Sequence, residues 1–321
     1  MEEDAFIIQL KGGVPDFSNE DINSVLSLKN GFNVRSISGN IYVSDCNEKS
    51  IADLSFMKRF GKIIGEYDLL EDIQNVQLPP GKFYIRVIDE LGCHGTEHEK
   101  SIGDLVGAKG RVSFKKPDFV LLAFHADKWY IALEGVKENA RTDERRPPMR
   151  PYFTPISMDP SYASFLVNFG YFPRGATLLD PFCGSGGILI EAGLKGYSVR
   201  GIDILPQMTM GASVNLKFYG IRNYSIEKGD FLEYDRDEKF DGIVTDFPYG
   251  RNSHISTSSN EFYEGSARVM SNLLTTGSRA CIVTDAIGNL EYFKKYFTVD
   301  KVISQRVHAS LTRNFARLIK N

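Results

Sequence analysis

The chain has 321 residues, 42% hydrophobic and 25% charged, with a net charge of −3, the balance of an ordinary globular protein long enough for two domains. No run approaches the roughly 18 apolar residues that span a bilayer, the start (Met1-Glu2-Glu3-Asp4) has neither the basic nor the apolar part of a signal peptide, and the four cysteines form no CxxC pair. A membrane partner, a disulfide framework and a metal site are therefore not expected, and a reducing cytoplasm is.

In chain order, Phe6-Ile7-Ile8-Gln9-Leu10 reads as a first strand, and alternation over 37–43 predicts another. Residues 50–60 and 101–109 have the pattern of short amphipathic helices. Strands are predicted at 82–88, 119–124 and 128–133, the last two joined by His125-Ala126-Asp127 as a hairpin. Residues 1–140 thus read as a mixed α+β region, with Trp129 as a core residue. Across 141–159, Arg141, Arg145, Arg146 and Arg150 alternate with Pro147, Pro148, Pro151 and Pro155, and Pro160 follows. Prolines so dense exclude a regular element, so a stiff connector is expected. Its arginines, beside Tyr152 and Phe153, suit either solvent or a polyanion.

From 160 to 321 the pattern alternates. Strands are expected at 176–180, 198–203, 223–228, 240–246, 278–284, 297–306 and 313–319, and helices at 160–170, 186–196, 206–219, 260–275 and 287–295. That order predicts an α/β domain with a doubly wound, mostly parallel sheet, closed by an antiparallel terminal hairpin.

In such a sheet, ligands bind over the carboxyl ends of the strands. The glycine-rich turn Asp180-Pro181-Phe182-Cys183-Gly184-Ser185-Gly186-Gly187 lies there. A carboxylate directly before the glycines would repel a dinucleotide diphosphate and favour a cationic nucleoside. S-adenosylmethionine, with its amine and sulfonium, has that charge. Gly184 and Gly186 would permit close approach. Asp203, ending the next strand and followed by Ile204, suits the ribose hydroxyls. Asp230 suits the adenine amino group, with Phe231 against the ring. Helix capping explains any one of these acids more simply; three at successive strand ends make capping alone a poor account.

The fourth strand runs into Asp246-Phe247-Pro248-Tyr249-Gly250. A turn explains the Pro and Gly, not a carboxylate and an aromatic flanking them. An exocyclic amine conjugated with its ring is a poor nucleophile. Two acceptors aimed at its hydrogens, the Asp246 carboxylate and the carbonyl of residue 247, would stabilise the charge it develops, while Tyr249 stacks on the base. A paired base would have to be extruded. His308, beside Ser310 and Arg313, reads as a structural or phosphate contact, and Cys183 as turn packing. The polar run 251–259 suits either a substrate-covering loop or a connector.

The turn and the Asp-Phe-Pro-Tyr motif resemble the Class I S-adenosylmethionine methyltransferases that act on amino groups of bases, whose reaction motif is usually Asp or Asn, Pro, Pro, then Tyr or Phe. Phe247 stands where proline is usual. Arg146-Pro147-Pro148-Met149-Arg150-Pro151-Tyr152-Phe153, with Ser157-Met158-Asp159-Pro160 and Val307-His308-Ala309-Ser310-Leu311-Thr312-Arg313, is similar to the archaeal tRNA guanine-N2 methyltransferases. Residues 82–134, with Lys116-Pro117-Asp118, resemble a THUMP domain. The resemblance implies a Rossmann-like catalytic domain, a THUMP-containing RNA-binding region, S-adenosylmethionine as cofactor and tRNA as partner. It implies methylation of guanosine N2, at position 10 by closest pattern, with Lys115, Lys116, Arg145, Arg146, Arg150 and Arg313 facing RNA. A small activating subunit, as some relatives require, and a monomer or simple complex are compatible with it. Two other readings stay open: methylation of another base amine (guanine elsewhere in tRNA or ribosomal RNA, or adenine N6), and a catalytically silent tRNA-binding protein.

Overall fold

A strand covered on both faces needs apolar residues on both, and Phe6–Leu10 (β1) is buried at all five positions. The computed structural model describes residues 4–89, 95–107, 111–136, 142–154, 157–248, 259–309 and 311–321. The chain divides into two units, Met1–Ala140 and Arg141–Asn321.

In the first unit β1 is followed by helix α1 (Pro15–Ile22), which runs into a π-helical turn at Asn23–Leu28. The strand expected over 37–43 is instead a hairpin of β2 (Val34–Ser38) and β3 (Ile41–Ser44). Ser38 pairs with Ile41 around Gly39-Asn40, and Gly39 has φ +44, the positive φ a two-residue hairpin demands. The helix expected over 50–60 spans only Glu48–Ala52 (α2), and Met57–Tyr67 (β4) is an 11-residue strand. The buried Asp21 carboxylate explains the switch. It accepts from the amides of Ser55 (2.6 Å) and Phe56 (3.3 Å), taking them out of any helical ladder. Gly61 then lets β4 close on its neighbour, since a Cβ there would lie 2.8 Å from the Leu133 carbonyl oxygen.

The remaining elements are β5 (Lys82–Asp89), α3 (Gly95–Val106), β6 (Arg111–Val112), β7 (Phe119–His125) and β8 (Trp129–Glu134). The last two form the expected hairpin, and α3 begins six residues before the expected 101. The eight strands form one sheet in the order β2-β3-β1-β4-β8-β7-β5-β6, antiparallel except where β5 runs parallel to β6 and β7. Trp129 is buried in the core beside Phe83, Ile85, Ile102 and Leu121.

The second unit alternates as expected: α4 (Pro160–Phe169), β9 (Thr177–Asp180), α5 (Gly187–Leu194), β10 (Ser198–Asp203), α6 (Pro206–Phe218), β11 (Tyr224–Lys228), β12 (Phe240–Asp246), α7 (Ser259–Leu273), β13 (Leu274–Thr284), β14 (Phe297–His308) and β15 (Leu311–Lys320). Its seven strands are ordered β11-β10-β9-β12-β13-β15-β14. The first five run parallel, and β15 inserts antiparallel between β13 and β14. This is the expected Rossmann-like sheet with a reversed terminal hairpin. The helix expected at 287–295 is a 3-10 turn, Ile287–Phe293.

Residues 142–154, read above as a connector, pack within this unit. Arg145 makes a two-point ion pair with Glu191 of α5, both contacts at 2.8 Å. Arg150 is 4% exposed, donates to the Arg145 carbonyl at 3.0 Å, and crosses the face of Gly187. The expectation that these two arginines face RNA is thereby corrected: their charge is turned inward against α5. Arg146 remains exposed beside Asp143.

Candidate functional site

Parallel strands bring their carboxyl ends to one edge, and the second unit's acids gather there. Asp180 ends β9, Asp203 ends β10, Asp246 ends β12, and Asp230 lies two residues past β11. Asp180 is 1% exposed. One of its oxygens accepts from the Thr245 hydroxyl at 2.7 Å and from the Phe182 amide at 3.2 Å. Burial pushes its carboxyl up to about 7; those two donors oppose the rise, and nearby Asp246 and Asp203 add to it. A cation placed beside this acid would relieve both its desolvation and the mutual repulsion.

Asp203 is half-buried, and burial raises its carboxyl too, against the pull of two amides. Its oxygens accept from Gly184 and Leu205, each at 2.9 Å, so the residue braces the glycine turn. Each oxygen keeps a second lone pair that a ribose hydroxyl could use. The turn has positive φ at Gly184 (+51) and Gly186 (+81). A Cβ at Gly184 would meet nothing within 4 Å, so this side of the turn is open to a ligand. At Gly186 a Cβ would press on Ala212 of α6 at 3.2 Å; there glycine serves close packing.

Asp230 caps a short 3-10 turn, Phe231–Glu233, accepting from the Leu232 amide at 2.9 Å. Phe231 is 2% exposed and meets Phe182 edge-on at 5.4 Å. Its ring belongs to the core, which corrects the expectation that it lies against the adenine ring. Pro181 is buried, Phe182 half-buried and Ile204 exposed. In the reaction motif Asp246 and Pro248 are half-buried, while Phe247 is 1% exposed and donates its amide to the Val283 carbonyl at 3.0 Å. That bond extends the β12–β13 ladder by one rung that a proline could not make. Tyr249, Ser310 and most of the 251–259 run lie outside the described residues. Lys115 and Lys116 are exposed in the first unit, Arg313 is half-buried on β15, and His308 is exposed at the end of β14.

Sequence reasoning missed Asn215, a fully buried residue of α6. It accepts from the Tyr152 amide and donates to the carbonyls of Tyr152 and Ser185, all at 2.9 Å, joining segment 142–154 to the glycine turn. The hydroxyls of Thr154, Ser157 and Ser185 meet beside it at 2.7–3.3 Å. The signal available in the sequence was a lone asparagine on the buried stripe of a helix. Thr245, directly before Asp246, was likewise passed over as strand filler. Among the described residues no cluster of His, Cys, Asp and Glu could hold a metal ion, and no helix is long and apolar enough to cross a membrane.

A family model described as an RMKL-like methyltransferase domain matches residues 147–314. The tRNA (guanine(10)-N2)-dimethyltransferase of Pyrococcus abyssi is 30% identical over 97% of this chain and 98% of its own length. The enzyme of that name from Methanothermobacter thermautotrophicus is 39% identical over 53% of this chain and 52% of its own. Among solved structures, TrmN from Thermus thermophilus superposes with a TM-score of 0.62 at 16% identity, covering 99% of this chain and 100% of that one. SMU.472, solved in complex with SAH, gives 0.57 at 13% identity, over 100% and 99% of the two chains. At such identities the structural likeness speaks for the fold alone.

Proposed function

Because the chain belongs to the family of archaeal tRNA (guanine(10)-N2)-dimethyltransferases, we propose that it methylates the exocyclic N2 amine of guanosine 10 in tRNA from S-adenosylmethionine. The observation that carries the chemistry is the row of carboxylates on one sheet edge, Asp180, Asp203 and Asp230 beside Asp246. The residues fit the cofactor. A buried acid with a raised pKa seeks a cation, and the turn is open beside Gly184.

When bound, the cofactor would supply an electrophilic methyl on its sulfonium, and the proton that the amine loses on methylation would leave by way of the Asp246 carboxylate to solvent. In this reading Asp180 faces the cationic part of the cofactor, Asp203 holds the ribose and keeps the Gly184 amide in place, and Asp230 lies toward the adenine. Pro181, Phe182, Gly186 and Ile204 shape the surrounding wall. Asp246 and the carbonyl of residue 247 accept from the two amine hydrogens, which raises the nitrogen's electron density and stabilises its developing charge. Tyr249 stacks on the extruded base. Because the acceptors are fixed before the base arrives, no reorganisation is needed at the moment of transfer.

The first unit, with Lys115 and Lys116 exposed, serves as a THUMP-containing tRNA-docking region, and exposed Arg146 with Arg313 contacts the RNA backbone near the site. Among the described residues β11 is an edge strand of its sheet, the place where a small activating subunit would add. The apolar stripe Met210, Val214 and Phe218 on α6 is exposed beside it. The cytoplasm is the proposed setting.

Incubating the protein with methyl-labelled cofactor and bulk tRNA, then digesting to nucleosides, tests the assignment. The expected products are N2-methylguanosine and N2,N2-dimethylguanosine mapping to position 10. Labelled N6-methyladenosine would refute the guanine assignment, and absence of label would favour the silent tRNA-binding reading.

A further inference from the structure

A proline at 247 would fix its own φ through its ring; phenylalanine has no such constraint. Pro248 restricts the Phe247 backbone from the carboxyl side; the restraint on φ that a proline at 247 would add is left to packing. The structure surrounds the Phe247 ring with four others. Phe182 of the glycine turn lies at 5.1 Å between centroids, Tyr263 of α7 at 5.1 Å, Phe293 of the 3-10 turn before β14 at 5.7 Å, and Phe262 of α7 at 5.9 Å. The Phe262 and Phe293 rings meet it nearly perpendicular, at 82° each, and the other two are tilted. The two perpendicular contacts have the edge-on geometry that aromatic quadrupoles favour. Phe247 is thus gripped from three separate elements while its amide is tied to Val283 of β13.

We infer that this aromatic cage is the positioning device of the reaction loop, doing through packing what a proline ring does covalently, and that Phe182 makes it the joint between cofactor turn and acceptor carbonyl. The inference rests on the reading above in assigning the 247 carbonyl to the substrate amine. Phe182 has one edge in each camp. It touches Phe231 past β11 and Phe262 of α7 as well as Phe247. A displaced turn therefore pushes on the ring that holds the acceptor. Dense interiors transmit such a push rather than absorb it. Tyr263 is tied in turn to the buried Thr284 hydroxyl at 3.2 Å, and Asn289 donates to that same hydroxyl at 2.9 Å, so the far wall of the cage is fixed to the end of β13.

The test compares Phe262→Leu and Phe293→Leu with Phe240→Leu. Phe240 lies in the same hydrophobic core but at the opposite end of β12. All three lose packing, and a merely structural role would lower their melting temperatures alike without separating their turnover. The cage predicts that Phe262→Leu and Phe293→Leu lower kcat by about tenfold or more, with KM for tRNA and cofactor Kd within about threefold of the parent, since a small misplacement of a reacting geometry costs rate steeply. Phe240→Leu, assayed equally far below its melting temperature, keeps kcat within about threefold. Equal kcat losses in all three variants, or none in the cage pair, would overturn the inference. Hydrogen exchange over 244–248 gives a readout that needs no turnover: the Phe247 amide must exchange faster in the cage variants and stay protected in Phe240→Leu. If the parent transfers no methyl but this exchange pattern holds, the substrate assignment fails and the cage stands. If the parent is active and the pattern is absent, the cage fails alone.

Discussion

The two sheets of this molecule differ in what they do with strand ends. The second unit's first five strands run parallel, so every carboxyl end, and every residue placed there, faces one edge. The first unit's strands mostly alternate in direction, and their ends scatter over two edges. Chemistry assembled on a parallel sheet leaves a regular trace in sequence, an acid at the close of each strand. A binding surface on an antiparallel sheet leaves none, because neighbours in space come from opposite ends of distant strands. The difference predicts that changes in the second unit act on chemistry and cofactor, and that changes in the first act on tRNA affinity.

The largest effect expected is from Asp246→Ala. Removing one of two acceptors should cost roughly 10²–10³-fold in kcat, with cofactor binding by equilibrium dialysis nearly unchanged. Retained turnover would break the assignment of chemistry to this edge. Next is Glu191→Gln. It leaves Arg145 buried against α5 without its counter-charge, and such breakage costs about 3–5 kcal/mol, read as a lower urea midpoint. A change near zero would mean the 142–154 segment is not anchored as described.

A third expectation concerns pH. In the apo protein Asp180 holds its proton up to about 7 in the fold, against an ordinary value of 3.8. The folded state then binds the extra proton between those values, so this group's contribution to stability falls as pH rises from about 4 to about 7 and is flat above. Cofactor binding should move the other way. Affinity for a cation beside Asp180 should rise with pH, by at most about tenfold per unit, and level off above neutrality. Titration calorimetry at several pH values would show it, and Asp180→Asn should flatten both curves. The smallest effect belongs to the first unit. Lys115→Ala with Lys116→Ala should weaken tRNA binding and flatten its salt dependence by about one in log–log slope per lysine, with kcat unchanged. An altered kcat would blur the division of labour between the units.

The catalytic half was legible because its elements alternate and its acids sit where strands stop. What escaped the sequence there was direction. Arg145 and Arg150 read as a surface patch, yet Glu191 on a distant helix draws one inward and packing encloses the other. Phe231 read as a partner for a flat ring and is core instead. Phe247 read as a departure from a motif, and its role needs four rings from elsewhere in the chain. In the first unit, the helix expected over 50–60 runs past α2 into the start of β4, because the Asp21 contacts to Ser55 and Phe56 that end it span more than thirty positions of sequence. Periodicity over a short window has no access to such a tie.

Asn215 uses its side-chain amide as a strand would use its backbone, giving and taking a bond with Tyr152 and adding a third to Ser185. The boundary between the first and second units along the chain is therefore not where the prolines are. A fragment cut to begin at 160 would cost Asn215 its two bonds to Tyr152 and Glu191 its pairing with Arg145, and would bare the flank of Gly211, against which the Tyr152 ring rests. One cut at 141 would keep all three contacts. Anyone separating the halves should treat the arginine–proline stretch as the catalytic unit's own amino-terminal clasp.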